Sequence, residues 1–319
     1  MSVPIVALLA LLPLALAVAV AVVVIGLAHR LSARERTASP GSALVAARRH
    51  AGGIDALAWV GLVAALVVIQ AFTPSLTSGL GTGVLFGLTP ALAGATFLAV
   101  QSVGELTWPR PSGSVRRAPL TPRTVRDIAP VGLRRLTWGW AGGLALALVA
   151  CGLSSGNGRD IARVWDASSS GAAGPFPGWF YGGPLVVATA VLVVVPEVVL
   201  RLVARRPAVV DTAPADDLAL RALSSLRVLR GAQLVLAWTL AGVLLVAGSA
   251  LRNVGTIEVD GVVRTSVGLV AGGTTLLVLG LAVALAGPAT ILMTAMTAPA
   301  RSAAPVGRAL HAASGPVGS

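Results

Sequence analysis

The residues with the clearest chemical potential are ionisable groups within or beside long apolar runs, because charges at membrane depth are costly and usually functional. Glu197 lies in such a run and precedes Arg201 by one helical turn, so the two side chains could neutralise each other. Asp55 and Glu105 lie at the ends of two other apolar runs. If their helices are neighbours, these groups gather at one level, either as structural ion pairs or as a gate for protons or cations.

A second charged motif lies in the segment 211–230. Asp216 and Asp217 precede Arg221, which places acids at the start of a helix and a cation later, as the helix dipole favours. Apolar residues recur there at helical spacing: Leu218, Ala222, Leu223, Leu226 and Leu229. The pattern predicts an amphipathic loop helix that packs on the protein or the membrane surface, or contacts a partner. Asp216, Asp217 and Arg221 are the candidate partner contacts.

Other chemistries lack their residues. His29, His50 and His311 lie far apart in the sequence, without the spacing of a zinc site. The chain has no nucleophile elbow, Walker A sequence or dinucleotide-binding glycine motif. Its single cysteine, Cys151, excludes an internal disulfide. We therefore expect no catalytic residue, no cofactor and no metal.

Composition indicates an all-α integral membrane protein. Apolar residues make up 55% of the 319 residues and charged residues only 11%, against about 25% charged in soluble domains. The net charge of +12 comes from arginines that flank apolar runs, which favours the bilayer and its anionic headgroups as partners over nucleic acid. All 24 basic residues are Arg, as in GC-rich genomes, so we expect the plasma membrane of a bacterium.

Seven segments reach the length of about 20 apolar residues that one bilayer crossing needs. They lie near 3–28, 54–72, 81–103, 136–153, 184–204, 232–251 and 266–297. The first is interpreted as an anchor, since no basic residue precedes it and its apolar run is too long for a signal peptide. This predicts one polytopic helical bundle over 1–298, followed by a flexible cytoplasmic tail over 299–319.

The arginines predict the orientation of these spans. Twenty of them fall in the gaps 29–53, 104–135 and 201–231 or in the tail, whereas the other gaps carry no net charge. Positive loops remain in the cytoplasm. The N-terminus is therefore expected outside and the C-terminus inside, which requires an odd number of spans.

Two loops predict local structure. Thr121 followed by Pro122 is typical of a helix start, and Pro130 would end that helix; we expect it along the anionic inner leaflet. On the outer side, 256–265 alternates around Asp260-Gly261, a strong signal for a small β-hairpin. Glu258 and Arg264 could face each other across it.

Three runs carry a family resemblance: Phe176–Leu185, Thr121–Asp127 and the Asp216-Asp217…Arg221 stretch. They are similar to an uncharacterised family of actinobacterial multi-pass integral membrane proteins. The resemblance extends from the third span to the sixth and implies a multi-pass membrane fold. The family has no assigned activity, so the resemblance transfers no catalytic residues.

These observations favour a non-enzymatic scaffold or accessory subunit that acts through its basic cytoplasmic loops, with a protein partner in the membrane or cytoplasm. The alternative is a small transporter or channel subunit gated near Glu197, Asp55 and Glu105. A third hypothesis is an intramembrane enzyme for lipid-like substrates, which requires polar groups converging at one depth.

Overall fold

A computed structural model describes residues 43–108, 123–209, 213–259 and 261–296. The predicted first span near 3–28 and the predicted tail over 299–319 lie outside these residues. So do Thr121 and Pro122, and Asp260 of the predicted hairpin.

The described residues form a helical bundle. Its helices are α1 (Ala43–Leu76), α2 (Leu80–Leu106), α3 (Val125–Ile128), α4 (Val131–Ser154), α5 (Trp179–Arg205), α6 (Pro214–Val254) and α7 (Val267–Met296). All except the one-turn α3 are long and apolar enough to cross a membrane. The helical class and six of the predicted spans are thus confirmed at the level of helix length and composition.

Helix α6 differs most from its prediction. The loop helix expected within 211–230 and the span expected over 232–251 form one helix of 41 residues. Gly231, at their junction, continues the helix, and its hydrogen atom faces Phe97 of α2. A Cβ at that position would clash with the Phe97 ring. Gly231 therefore permits close helix packing and does not end a helix.

Helix α6 is also the centre of the bundle, in contact with α1, α2, α4, α5 and α7. Helix α7 packs mainly on α6, along glycines at Gly273, Gly280 and Gly287. A Cβ on Gly248 of α6 would lie 2.6 Å from the Gly273 carbonyl oxygen. The backbones of these two helices therefore lie in direct contact, as is common between membrane helices where the facing residues are small.

Two β-hairpins lie at one end of the bundle, which we call the hairpin end. The predicted hairpin is confirmed as β3 (Thr256–Val259) and β4 (Val262–Thr265), and Gly261 adopts the positive φ of 74° that such a turn requires. The register places Arg264 opposite Ile257, so the expected Glu258–Arg264 pair is wrong. Arg264 binds Asp166 instead.

The second hairpin, β1 (Ile161–Val164) with β2 (Ser170–Ala173), is not evident in the sequence. Its strands contain few of the β-branched and aromatic residues that signal strands. Asp166 lies in its turn, where hydrogen bonds from Ser169, Ser168 and Arg264 lower the pKa of the carboxyl.

At the opposite end, which we call the charged end, α1, α4 and α6 begin and α2, α5 and α7 end. The short helix α3 lies there, but its start was predicted wrongly. Thr124 precedes the helix, and the Asp127 carboxylate accepts hydrogen bonds from the Thr124 backbone N–H at 2.7 Å and hydroxyl at 2.8 Å. These bonds lower the pKa of Asp127. They form a local cap that needs no residue before Thr124.

Candidate functional site

The charged end holds a network of ion pairs between helices. Among the described residues, five arginine–carboxylate pairs lie there: Arg123–Asp217, Arg134–Glu197, Arg206–Glu105, Arg221–Asp217 and Arg227–Asp55. Four of the five join residues of different helices or loops. This network contains the acidic residues that the sequence identified as candidates, except Asp216.

Arg221 is the most buried member of the network. Its Nε donates to Asp217 at 2.9 Å, its Nη1 to the carbonyl oxygens of Val203 at 2.6 Å and Ala204 at 3.0 Å, and its Nη2 to the Arg206 carbonyl at 2.8 Å. The last carbonyls of a helix lack partners within the helix and carry the negative end of its dipole. Arg221 of α6 therefore caps the C-terminus of α5.

Asp217 holds this arginine in position. Both Arg221 and Arg123 donate to its Oδ2, while its Oδ1 is buried without a partner among the described residues. Asp217 is 2% exposed and Arg221 is 1% exposed. An isolated buried charge would be very costly. Here one carboxylate serves two cations, one on α6 and one on the segment before α3.

Arg206 forms a second buried centre, directly after α5. Its Nη1 donates to Glu105 at 3.1 Å and to the Ser224 hydroxyl at 3.2 Å, and its guanidinium carbon lies 3.7 Å from the centroid of the Trp108 ring. Burial lowers the pKa of Arg206, an effect that Glu105 opposes. The ring supplies a cation–π contact to a guanidinium whose Nε and Nη2 have no hydrogen-bond acceptor among the described residues.

Asp55 and Glu105 lie on adjacent helices, as the sequence analysis required for a common cluster. Gln101 of α2 donates to Asp55 at 3.2 Å, and Arg227 of α6 pairs with Asp55 at 3.4 Å. Gln101 is one turn from Glu105 on the same helix. The two carboxylates are therefore connected through α2 and α6, each with its own arginine.

A small cavity lies between these groups. It has room for about one water molecule. His50, Gln101, Glu105, Ser224 and Arg227 supply its polar lining. His50 Nε2 donates to the Gly104 carbonyl at 3.1 Å, and the His50 and Trp108 rings pack edge to face with their centroids 5.6 Å apart. The cavity is polar but too small for an organic substrate.

Glu197 lies apart from this cavity, on the side of α5 that faces α4. Arg134 donates to it through Nε at 3.2 Å and through Nη2 at 2.9 Å. Among the described residues, no ion pair joins Glu197 to Arg201, and Arg201 is exposed. The expected pairing within α5 is thus replaced by a pairing between helices. The planar guanidinium of Arg134 can contact both carboxylate oxygens at once.

The network changes the interpretation of the candidate partner contacts. Asp217 and Arg221 are buried and bonded within the chain, so neither side chain lies on a surface that a partner could reach. Asp216 is partly exposed, and no ion pair of the described residues includes it. Of the three candidates, Asp216 alone retains an accessible carboxylate.

Sequence reasoning missed several members of the site: Arg123, Arg134, Arg206, Arg227, Gln101 and Trp108. The arginines lie in the basic loops or at helix ends, and the positive-inside pattern explained them without any pairing. The sequence did contain one signal: near the ends of the apolar runs, arginines are at least as numerous as acids, so each acid could pair with a cation. Which arginine it finds depends on helix neighbours.

The described residues contain no group of three or more His, Cys, Asp or Glu side chains that could hold a metal ion. The chain matches no family model, no curated protein and no solved structure.

Proposed function

We propose that this protein is an integral membrane scaffold or accessory subunit that acts through its charged end, placed at the cytoplasmic face by the positive-inside rule. One observation carries the proposal: four of the five candidate carboxylates at this end, all but Asp216, already bind arginines of the same chain. Such groups stabilise a fixed arrangement of helices and are not free to bind a substrate.

The depth of the charges supports this function. Asp55, Gln101, Arg134 and Glu197 each lie roughly 20 residues from the hairpin end of their helices, which is about 30 Å of helix. That length equals the hydrocarbon thickness of a bilayer. The ion pairs therefore belong at the inner boundary of the membrane, where arginines can also reach headgroups. A proton or ion pathway would instead need polar groups deeper in the bundle.

The transporter alternative has one observation in its favour, the polar cavity beside Glu105 and His50. Its space for about one water molecule could accept a proton or a small cation. It lies at the charged end, and the described spans supply no chain of ionisable residues from it toward the hairpin end. We therefore rank transport second.

Two measurements on the full-length protein test the proposed function. Native electrophoresis of gently solubilised native membranes should place the protein in a complex larger than the purified protein. Reconstituted vesicles should show proton and potassium fluxes equal to those of protein-free vesicles. A single species of purified size in native membranes contradicts the scaffold function. A flux that Glu105→Gln abolishes and Arg201→Gln preserves would establish the alternative.

A further inference from the structure

In the first half of α6, at the charged end, several polar side chains are buried and several apolar side chains are exposed. The buried residues of this half include Asp217, Arg221, Ser224 and Ser225. Its exposed and half-buried residues include Leu218, Ala219, Ala222, Leu223 and Leu226, which we call the apolar face of α6. Leu218 is 40% exposed and Leu223 is 43% exposed. A helix in water shows the opposite pattern, so this face is expected to have a cover.

The apolar face continues an interface that the molecule already uses. Ala237 and Ala241 of α6 contact α7. Eighteen residues are five full turns of an α-helix, and this is the separation of Ala219 from Ala237 and of Leu223 from Ala241. Ala219 and Leu223 therefore lie on the side of α6 that holds α7 over its second half, with the half-buried Arg230 between them and the α7 contact. Ala222 lies on another side, because Leu240, which continues the Ala222 side, contacts Gly143 of α4.

Helix α7 defines what fits this surface. It runs antiparallel to α6 and places Gly273, Gly280 and Gly287 against it. A spacing of seven residues keeps one side of a helix on its neighbour over many turns. Small residues at that spacing allow the close approach seen at Gly248, where a Cβ would meet the α7 backbone.

The segment that follows α7 in the sequence does not continue this pattern. The next positions at the same spacing are Thr294, Arg301 and Arg308, and Pro299 and Pro305 lie between them. Arginine is too large for a close helix contact, and proline inside a helix removes a hydrogen bond and distorts it. The segment 297–319 is therefore a poor match for the apolar face.

We propose that the apolar face of α6 binds a helix of a partner protein that carries glycine or alanine at every seventh residue. This helix lies antiparallel to α6 and extends the α7 interface beyond the inner boundary of the membrane. The proposal rests on the proposed scaffold function and names the contact through which the scaffold acts.

A cysteine at Leu223 reports whether this face is covered. The native Cys151 is buried and is replaced by alanine, so that Leu223→Cys is the one reactive site. The probe is a membrane-impermeant maleimide, applied to opened native membranes and to purified protein. Reaction should be roughly tenfold slower in native membranes, as expected for a partner present at about ten times its Kd. The control Arg126→Cys, exposed on α3, should react equally in both.

Two further samples distinguish the possible covers. A partner protein is supported by two results together. Protection in native membranes persists after truncation behind Met296, and reaction is restored when the purified protein is reconstituted into phospholipid vesicles without other proteins. Protection in the purified protein assigns the face to the chain itself and overturns the proposal, whether truncation removes it (the tail) or not (another segment of the chain). Protection in vesicles of anionic phospholipid alone assigns it to lipid and also overturns it.

A second variant tests the contact without a label. Leu223→Gln should dissociate the native complex, whereas Leu106→Gln, at a 68% exposed position of the same end, should leave it intact. A complex that survives Leu223→Gln, together with equal labelling in membranes and purified protein, overturns the docking site but leaves the scaffold function standing. Absence of any complex in the wild type contradicts both.

Discussion

Both ends of the helical bundle carry arginine–carboxylate pairs, but the two ends bury them very differently. At the charged end, the side chains of Arg206 and Glu105 are 2% and 7% exposed, and those of Arg221 and Asp217 are 2% and 3% exposed. At the hairpin end, the Arg264 and Asp166 side chains are 48% and 37% exposed.

This difference determines what each pair can contribute. An exposed pair gains little because water and salt screen it. A buried pair gains little overall from its formation, yet loss of one partner leaves an uncompensated charge in the core. The charged end should therefore respond strongly to single substitutions and the hairpin end weakly.

The largest effect is expected at Asp217. Asp217→Ala leaves Arg221 and Arg123 without their carboxylate and should destabilise the protein by about 3–5 kcal/mol. Thermal unfolding of the purified protein in detergent, followed by far-UV circular dichroism, measures the loss. Asp216→Ala is the matched control and should change stability by less than about 0.5 kcal/mol. Equal effects of the two substitutions would contradict the buried network.

Between the two ends, stability depends on helix contact and not on charge. Gly248→Ala places a methyl group 2.6 Å from the Gly273 carbonyl oxygen and should cost about 1–3 kcal/mol by overpacking. Gly242→Ala, on the same helix, meets no atom within 4 Å, so it should be neutral or slightly stabilising because alanine favours helix. The same unfolding assay checks both. If Gly242→Ala is also destabilising, the loss of stability comes from replacing a glycine in this helix and not from the α6–α7 contact.

An intermediate effect is expected for Glu197 and Arg134, whose side chains are 19% and 27% exposed. A double-mutant cycle with Glu197→Gln and Arg134→Gln should give a coupling of roughly 0.5–1 kcal/mol. The parallel cycle with Arg201→Gln should give none. Coupling to Arg201 in place of Arg134 would restore the pairing within α5 that the sequence suggested.

The smallest effect is expected at Asp166, and it depends on pH. Hydrogen bonds from Ser169 and Ser168 and the Arg264 guanidinium lower the pKa of this carboxyl in the folded state. Its contribution is therefore complete above the unfolded-state pKa of about 4 and is lost as pH falls further through the folded-state pKa. Fluorescence of the neighbouring Trp165 should change below about pH 4 in the wild type. The Asp166→Asn variant should lack that transition.

The sequence anticipated features that depend on local pattern. Apolar length predicted the six described spans, and Asp260-Gly261 predicted the hairpin turn, because both follow from nearest neighbours along the chain. The prediction fails at Gly231, because the gap 201–231 between predicted spans ends at this residue whereas the structure has it within α6. Glycine is compatible with a helix end or with close packing, and the distinction requires knowledge of Phe97 on another helix.

The candidate site shows the same limit more clearly. Asp55, Glu105, Glu197 and Asp217 stand out in the sequence because acids near apolar runs are rare. Their partners Arg227, Arg206, Arg134 and Arg123 do not stand out among 24 arginines. Three of these four pairs connect different long helices or their ends, and the sequence does not specify which helices are adjacent.

By itself, then, the sequence determined that the chain forms apolar helices with basic connections and which acids are chemically unusual, since composition and periodicity are local properties. The tertiary structure alone decided which arginine each acid binds, which residues of α6 are buried, and that Arg221 caps another helix. Those outcomes depend on which helices are adjacent and how each is rotated, and contacts between residues distant in the chain set both.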